Sequence, residues 1–390
     1  MSPVRVLLVH NAYQQAGGED AVVASEAAML RRFGHEVALL TRHNDDIAAI
    51  GRLSLLRQTL WSGTTRRDFD ASCCEFAPDI VHVHNTFPLI SPSVYWAAGR
   101  RRLPVVQTLH NFRLLCPQAI FLRDGHICED CLGKLPWRGV ARRCYRASLA
   151  QSAALGGMLV LHRALGTWRG HVDRYIALNA FCRDKFIAGG LPADKFSIKP
   201  NFADIAELPG EGARRGGLFV GRLSQEKGLQ VLVGAMERAP GLNVQVIGAG
   251  DGADLARQVF GAGFLGYRDL DSILHGMRRA SYLVVPSICY ESFPRTIVEA
   301  FACGLPVIAS RLGSLIDIVG HERTGLLFEP GNSDDLAAKM AWADAHPERM
   351  AEMGRAARAE YERHYTAETN YQMLMEIYRH AIDDHAAARA

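Results

Sequence analysis

At 390 residues the chain is too long for one ordinary core, and a two-domain protein is expected. With 48% hydrophobic and 22% charged residues it has the composition of a protein folded in water, and its longest apolar stretch, Ala147 to Leu161, falls short of the roughly 20 residues that span a bilayer. The net charge of +3 divides unevenly: residues 1–200 hold 25 Lys and Arg against 16 Asp and Glu, and residues 201–390 hold 19 against 25, giving +9 and −6. A basic half suits anionic lipid or a phosphorylated substrate. No Arg-rich run interleaves with aromatics, so nucleic acid is not an expected partner.

Met1 to Val9 leads straight into an apolar strand with no cleavage site, and the nine cysteines then read as reduced thiols of a cytoplasmic protein. Val4–His10 predicts the first strand and Asp20–Phe33 an amphipathic helix; strands at Glu36–Leu40, Asp79–His84, Val105–Leu109, Arg174–Leu178 and Phe196–Ile198 follow. The second half restarts with strand Gly217–Val220 and helix Gly228–Arg238. Strands Asn243–Ile247 and Tyr282–Val285, helix Pro294–Ala302 and strand Pro306–Ala309 come next. Short Val- and Ile-rich runs alternating with helices are the pattern of parallel sheets covered on both faces, so the expected class is α/β with two doubly wound, Rossmann-like domains facing each other across a cleft. Residues 1–200 and 201–365 are the expected domains, with a linker at Pro209-Gly210-Glu211-Gly212 and Gly216-Gly217 and a last helix in 366–390.

In such sheets ligands sit beyond the carboxyl ends of the strands, so the loops there are read first. Gly17-Gly18-Glu19 follows the first strand; its glycines let backbone N–H groups approach a ligand, although a plain tight turn reads the same way. His82 and His84 fall at a strand end, where a structural histidine is the ordinary reading, and His110-Asn111 follows Val105–Leu109. Gly221-Arg222-Leu223-Ser224-Gln225-Glu226-Lys227-Gly228 sets two cations in a Gly-flanked loop before a helix, an arrangement suited to a diphosphate. Gly248-Ala249-Gly250-Asp251-Gly252 is a second, weaker Gly-rich turn. Asp269 caps the helix that follows it rather than binding metal.

Glu291 and Glu299, eight residues apart, would be roughly 80° out of phase within one helix. The expected geometry therefore has Glu291 in a loop, Ser292 near the N-cap and Pro294 in the first turn, with both acids bordering a helix start that attracts phosphate. Acids there accept hydrogen bonds from sugar hydroxyls, which points to a nucleotide-sugar site.

Gly221-Arg222…Glu226-Lys227-Gly228, Ile247-Gly-Ala-Gly250, Glu291-x7-Glu299, Ala300-Phe-Ala-Cys-Gly-Leu-Pro306 and Gly325-Leu-Leu-Phe-Glu-Pro330 together resemble the family-4 retaining glycosyltransferases, of GT-B fold, along almost the whole chain. The resemblance implies that Arg222 and Lys227 bind the donor diphosphate, Glu299 the ribose, and Glu291 the transferred sugar or the phosphates. His110 would approach the donor sugar, and Gly17-Gly18 the phosphates and acceptor. Gly248, Ser292 and Phe293 complete the implied donor set. Ser292 and Pro294 stand where many relatives have glycine, and Pro294 brings no N–H.

The implied reaction is retaining transfer by same-face, substrate-assisted attack from a nucleotide-diphosphate-sugar to a saccharide, with no metal cofactor. A nucleotide-sugar epimerase, a phosphorylase or a non-catalytic sugar-nucleotide-binding protein are the alternatives. The resemblance also suggests a lipid-linked acceptor in exopolysaccharide, capsule or lipopolysaccharide synthesis. Arg52, Arg57, Arg66 and Arg67 around Leu53, Leu55, Leu56, Leu60 and Trp61 fit a peripheral contact with an anionic membrane at the inner face of the plasma membrane. Finally, Cys116, Cys128, Cys131 and Cys144 could form a closed, structural four-thiolate zinc site, although buried cysteines are also ordinary core residues.

Overall fold

A computed structural model describes residues 3–14, 17–205 and 214–388, so the linker expected at Pro209–Gly212 lies outside the described residues. The chain forms two compact units: Met1–Ile120, Glu129–Pro200 and Ala367–Ala390 make the first, and Phe121–Cys128 with Asn201–Thr366 the second.

The first unit is built on strands β1 (Arg5–Ala12), β2 (Glu36–His43), β3 (Ile80–Asn85) and β4 (Val105–Thr108). A two-stranded antiparallel hairpin, β5 (Leu122–Arg123) and β6 (His126–Ile127), belongs to the second unit, where Phe121 meets Tyr290 edge-on at 5.9 Å. Strands β7 (Arg174–Ala177) and β8 (Phe196–Ile198) complete the first sheet in the order β2-β1-β3-β4-β7-β8, every pair parallel. β3 is buried along its whole length, as a strand covered on both faces must be. The Gly18–Arg32 helix covers one face with Val22, Val23, Ala27 and Leu30, spaced for one helical stripe. The Ala367–Ala387 helix is part of this unit, with Tyr371 stacked on Phe33 at 3.9 Å.

The second sheet contains β9 (Gly217–Val220), β10 (Val244–Ile247), β11 (Phe264–Gly266), β12 (Tyr282–Val285), β13 (Val307–Ser310) and β14 (Gly325–Phe328). Its order is β11-β10-β9-β12-β13-β14, again all parallel. Each sheet reverses its strand order once, between β1 and β3 in the first unit and between β9 and β12 in the second. At such a switch point the loops leaving the two strands diverge and open a crevice at their carboxyl ends. Among the described residues no helix is long and apolar enough to cross a membrane.

Candidate active site

In the second unit the switch point places the loop after β9 beside the loop after β12. The first loop turns through Gly228, whose φ of +75° starts the Leu229–Arg238 helix; a Cβ there would lie 1.8 Å from the Pro286 carbonyl, so the approach requires glycine. That closeness delivers Lys227 to Glu291: Lys227 Nζ donates to Glu291 Oε1 at 2.7 Å, and Ser287 Oγ donates to the same oxygen at 2.7 Å. Ser314 Oγ holds the Glu291 carbonyl at 2.6 Å. Burial pushes the Glu291 carboxyl up, but Lys227, Ser287 and Arg222 together bring it below its ordinary range. Burial likewise opposes the Lys227 charge, and Glu291 overcomes it, raising the ammonium. The pair is charged at neutral pH, and two of the three ammonium protons remain for an anion.

Arg222 lies 3.3 Å from Glu226 with 69% of its side chain exposed, so its guanidinium is open to a ligand. Ser224 Oγ is buried with no hydrogen-bond partner among the described residues. Gly248 serves a packing role: a Cβ on it would lie 1.9 Å from the Gly221 carbonyl, where the loops after β9 and β10 cross. Leu223 N–H donating to Ala249 at 2.9 Å fastens that crossing.

One expectation needs correction here. The helix runs Arg295–Ala302 with Pro294 itself at the N-cap, not in the first turn, because the chain is still extended there (ψ 113°). Pro294 therefore removes none of the first-turn N–H donors, and Ser292 lies two residues before the cap. Phe293 turns its ring into the core, edge-on to Tyr365 at 5.9 Å. Glu299 is buried on the helix, 3.6 Å from Arg295; burial raises its carboxyl, and Arg295 partly offsets this. Asp269 caps its helix as expected, accepting from Ser272 N–H at 2.9 Å.

In the first unit the structure joins the Gly17-Gly18 loop to the end of β4. Asp20 accepts from Gly17 N–H at 2.8 Å, from Tyr13 N–H at 3.2 Å and pairs with His10 Nε2 at 2.8 Å. Glu19 accepts from Tyr13 Oη at 2.9 Å and from Asn111 Nδ2 at 2.6 Å. Gly17 is extended (φ −121°), a backbone any residue adopts, and a Cβ on Gly18 would meet nothing within 4 Å.

Beneath this loop lies a sealed polar core absent from the sequence reading. Lys199 Nζ donates to Glu26 Oε2 at 3.0 Å and to Asn370 Oδ1 at 2.9 Å. His82 Nδ1 reaches Tyr378 Oη at 2.8 Å, and its Nε2 reaches Thr108 Oγ1 at 2.8 Å. Burial would raise Glu26, yet Lys199 and the histidines hold it well below the usual carboxylate range. His84 Nε2 sits 3.4 Å from Glu26 Oε1, an oxygen that also lies 2.9 Å from His82 Nδ1.

A carboxylate only accepts, which assigns the His84 proton to Nε2. His84 Nδ1 then accepts from His110 Nε2 at 2.8 Å, leaving His110 Nδ1 as a bare acceptor. Both rings are neutral: burial and His82 push His84 down to about 3, and burial and His84 take His110 well below its ordinary value.

Glu26, His82 and His84 are, among the described residues, the only trio of metal-ligating side chains within 4.8 Å of one another. The Lys199 ammonium already balances the carboxylate, and a further cation there would be uncompensated.

Among the described residues no three of the Cys116, Cys128, Cys131 and Cys144 sulfurs lie within 4.8 Å of one another. Cys116 N–H bonds Phe112 and Cys144 N–H bonds Gly139, while a Cβ on Gly139 would lie 3.4 Å from the Cys131 sulfur. None of the nine cysteines is in a disulfide.

Comparison with known proteins gives a consistent picture. The family model described as Glycosyltransferase Family 4 matches residues 16–207, and the one described as Glycosyl transferases group 1 matches residues 216–360. A D-inositol 3-phosphate glycosyltransferase of Mycobacteroides abscessus is 26% identical over 95% of this chain and 86% of its own. Among solved structures, sucrose-phosphate synthase from Thermosynechococcus elongatus aligns with a TM-score of 0.72 at 20% identity, covering 96% of this chain and 98% of that one. Anabaena Alr3699/HepE in complex with UDP-glucose aligns with a TM-score of 0.68 at 18% identity, covering 96% and 99%.

Proposed function

This chain belongs to glycosyltransferase family 4, with the GT-B fold, and from that premise we propose that it transfers a sugar with retention from a nucleoside-diphosphate sugar to a lipid-linked saccharide acceptor. The observation that carries the reading is the Lys227–Glu291 pair with exposed Arg222 beside the second unit's switch point. Two cations there offset the charge that grows on a departing diphosphate, which is why no divalent metal is required. Both acids are already engaged, Glu291 by Lys227 and Ser287 and Glu299 by Arg295, which favours same-face attack assisted by the leaving phosphate over a carboxylate nucleophile. His110 offers a neutral accepting nitrogen suited to a sugar hydroxyl. A uridine donor is favoured by the HepE complex with UDP-glucose.

The lipid-linked acceptor, of the kind used in exopolysaccharide, capsule or lipopolysaccharide assembly, is supported by the +9 charge of residues 1–200. Exposed Leu53 and Leu56 beside Arg52 and Arg57 on the Arg52–Leu60 helix point the same way and fit an enzyme peripheral at the cytoplasmic face of the membrane. A phosphorylated polyol is the second reading, favoured by the named acceptor of the mycobacterial relative. Transfer from a panel of labelled donor sugars, with EDTA present and the anomeric configuration of the product read by NMR, tests the proposal. An α-donor giving an α-product supports it, and an inverted product or dependence on metal contradicts it. Release from membranes by high salt is the expected mark of the peripheral site; extraction by detergent only would contradict it.

A further inference from the structure

One surface of the first unit plays no part in the chemistry above. An open groove of about 430 Å³ runs between the Trp137–Ala141 and Leu149–Ala164 helices, lined by Leu135, Trp137, Val140, Ala153, Gly157 and Val160 among others. Leu135 and Trp137 are 61% and 62% exposed, and Leu149, Val160, Leu161 and Leu165 are exposed along the same stretch. The Arg52–Leu60 helix, with Leu53 80% exposed, packs against the Leu149–Ala164 helix: His162 Nε2 lies 2.8 Å from the Leu60 carbonyl, and Trp61 stacks on His162.

Two independent features indicate the occupant. The first is charge. Residues 131–172 contain seven Lys and Arg and no Asp or Glu; Arg138 and Arg142 pair with Asp130 just before this stretch, and Lys134, Arg143 and Arg146 are exposed beside the groove's helices. The second is the glycine pair. Gly156 is required, because a Cβ there would come 2.8 Å from Val140 Cγ2. Gly157 is not: a Cβ on it would meet nothing within 4 Å, and an exposed helix-interior glycine costs backbone entropy that alanine would save. The chain's own packing leaves that position vacant, on the floor of an apolar groove with a cationic margin.

We propose that this groove seats in an anionic phospholipid bilayer, the apolar lining taking acyl chain, Trp137 lying at the interface and the neighbouring Lys and Arg meeting lipid phosphates. The inference rests on the peripheral-membrane reading and names its contact surface.

The test is flotation of the full chain with vesicles of phosphatidylcholine alone and of phosphatidylcholine mixed with phosphatidylglycerol, beside melting temperatures in buffer. The wild type floats with the anionic vesicles only. Gly157→Glu sets a charge in the groove on an exposed helical site, so it melts at or above the wild-type temperature while its vesicle affinity falls about tenfold or more. Gly157→Ala melts higher and floats as the wild type does. Brominated phospholipid quenches part of the tryptophan emission, and Trp137→Phe loses that quenched part. Flotation of Gly157→Glu equal to wild type overturns the groove while leaving the membrane reading standing. Failure of the wild type to float with anionic vesicles overturns both.

Discussion

Each unit pairs a glutamate with a lysine, and the two pairs differ in their access to water. Glu26 and Lys199 are 0% and 2% exposed, closed over by His82, His84 and Asn370. Glu291 and Lys227 are 11% and 25% exposed, held by one serine hydroxyl with a largely solvated arginine close by. A fully sealed ion pair has no route for exchange with a ligand, so the first pair belongs to the architecture and fixes the tautomers up to His110. The second can trade a partner for an incoming phosphate, because an ammonium has donors to spare.

Breaking the sealed pair carries the largest expected cost. Lys199→Met leaves a buried carboxylate uncompensated and is expected to cost about 3–5 kcal/mol in denaturant unfolding, most of it recovered when Glu26→Gln is added. A loss well under 1 kcal/mol for the single variant would show that the pair is not sealed. In the open cluster the effects should separate. Arg222→Gln is expected to lower kcat/KM by about 100- to 1000-fold, as for one lost transition-state donor. Its unfolding free energy should stay within about 0.5 kcal/mol of wild type, since the side chain is exposed. Equal losses in activity and stability would place Arg222 in the scaffold.

Acid should divide the units as well. His84 is held down to about 3 and His110 well below 6.5, so below their unfolded value of 6.5 the unfolded chain binds protons that the fold refuses. Their contribution is complete above that pH and declines as pH falls through it. Glu291 is depressed below 4.5, so its contribution is present above that value and fades only at lower pH. The first unit is therefore expected to weaken first on acidification from pH 7 to 5, and His84→Gln should flatten the slope of stability against pH. An unchanged slope would contradict the neutral-histidine assignment.

Much of this was legible in the chain and some of it was not, for identifiable reasons. The Val- and Ile-rich runs marked strands such as Gly217–Val220 and Tyr282–Val285 to the residue, because fully covered strands have no polar face to blur them. β11, three half-buried residues at a sheet edge, left too little signal. Glu26 shares a stripe with Val22, Val23, Ala27 and Leu30, and His82 and His84 alternate with Val81 and Val83 on a covered strand, so their burial was readable. Lys199 and Asn370 were not, since contacts across more than 170 residues carry no local pattern. The Cys128-x2-Cys131 spacing suggested zinc, but spacing along a chain does not say whether Cys116 and Cys144 come to rest beside it.

The most direct test of the central claim is thermal melting of the wild type and Lys227→Ala with UDP, GDP, dTDP and ADP in parallel. A ligand that binds only the folded chain raises its melting temperature by mass action. The expected result is a clear rise for one nucleotide, UDP foremost, in the wild type and little or none in Lys227→Ala. No rise with any nucleotide, or the same rise in both proteins, would contradict a diphosphate site at Lys227 and Glu291.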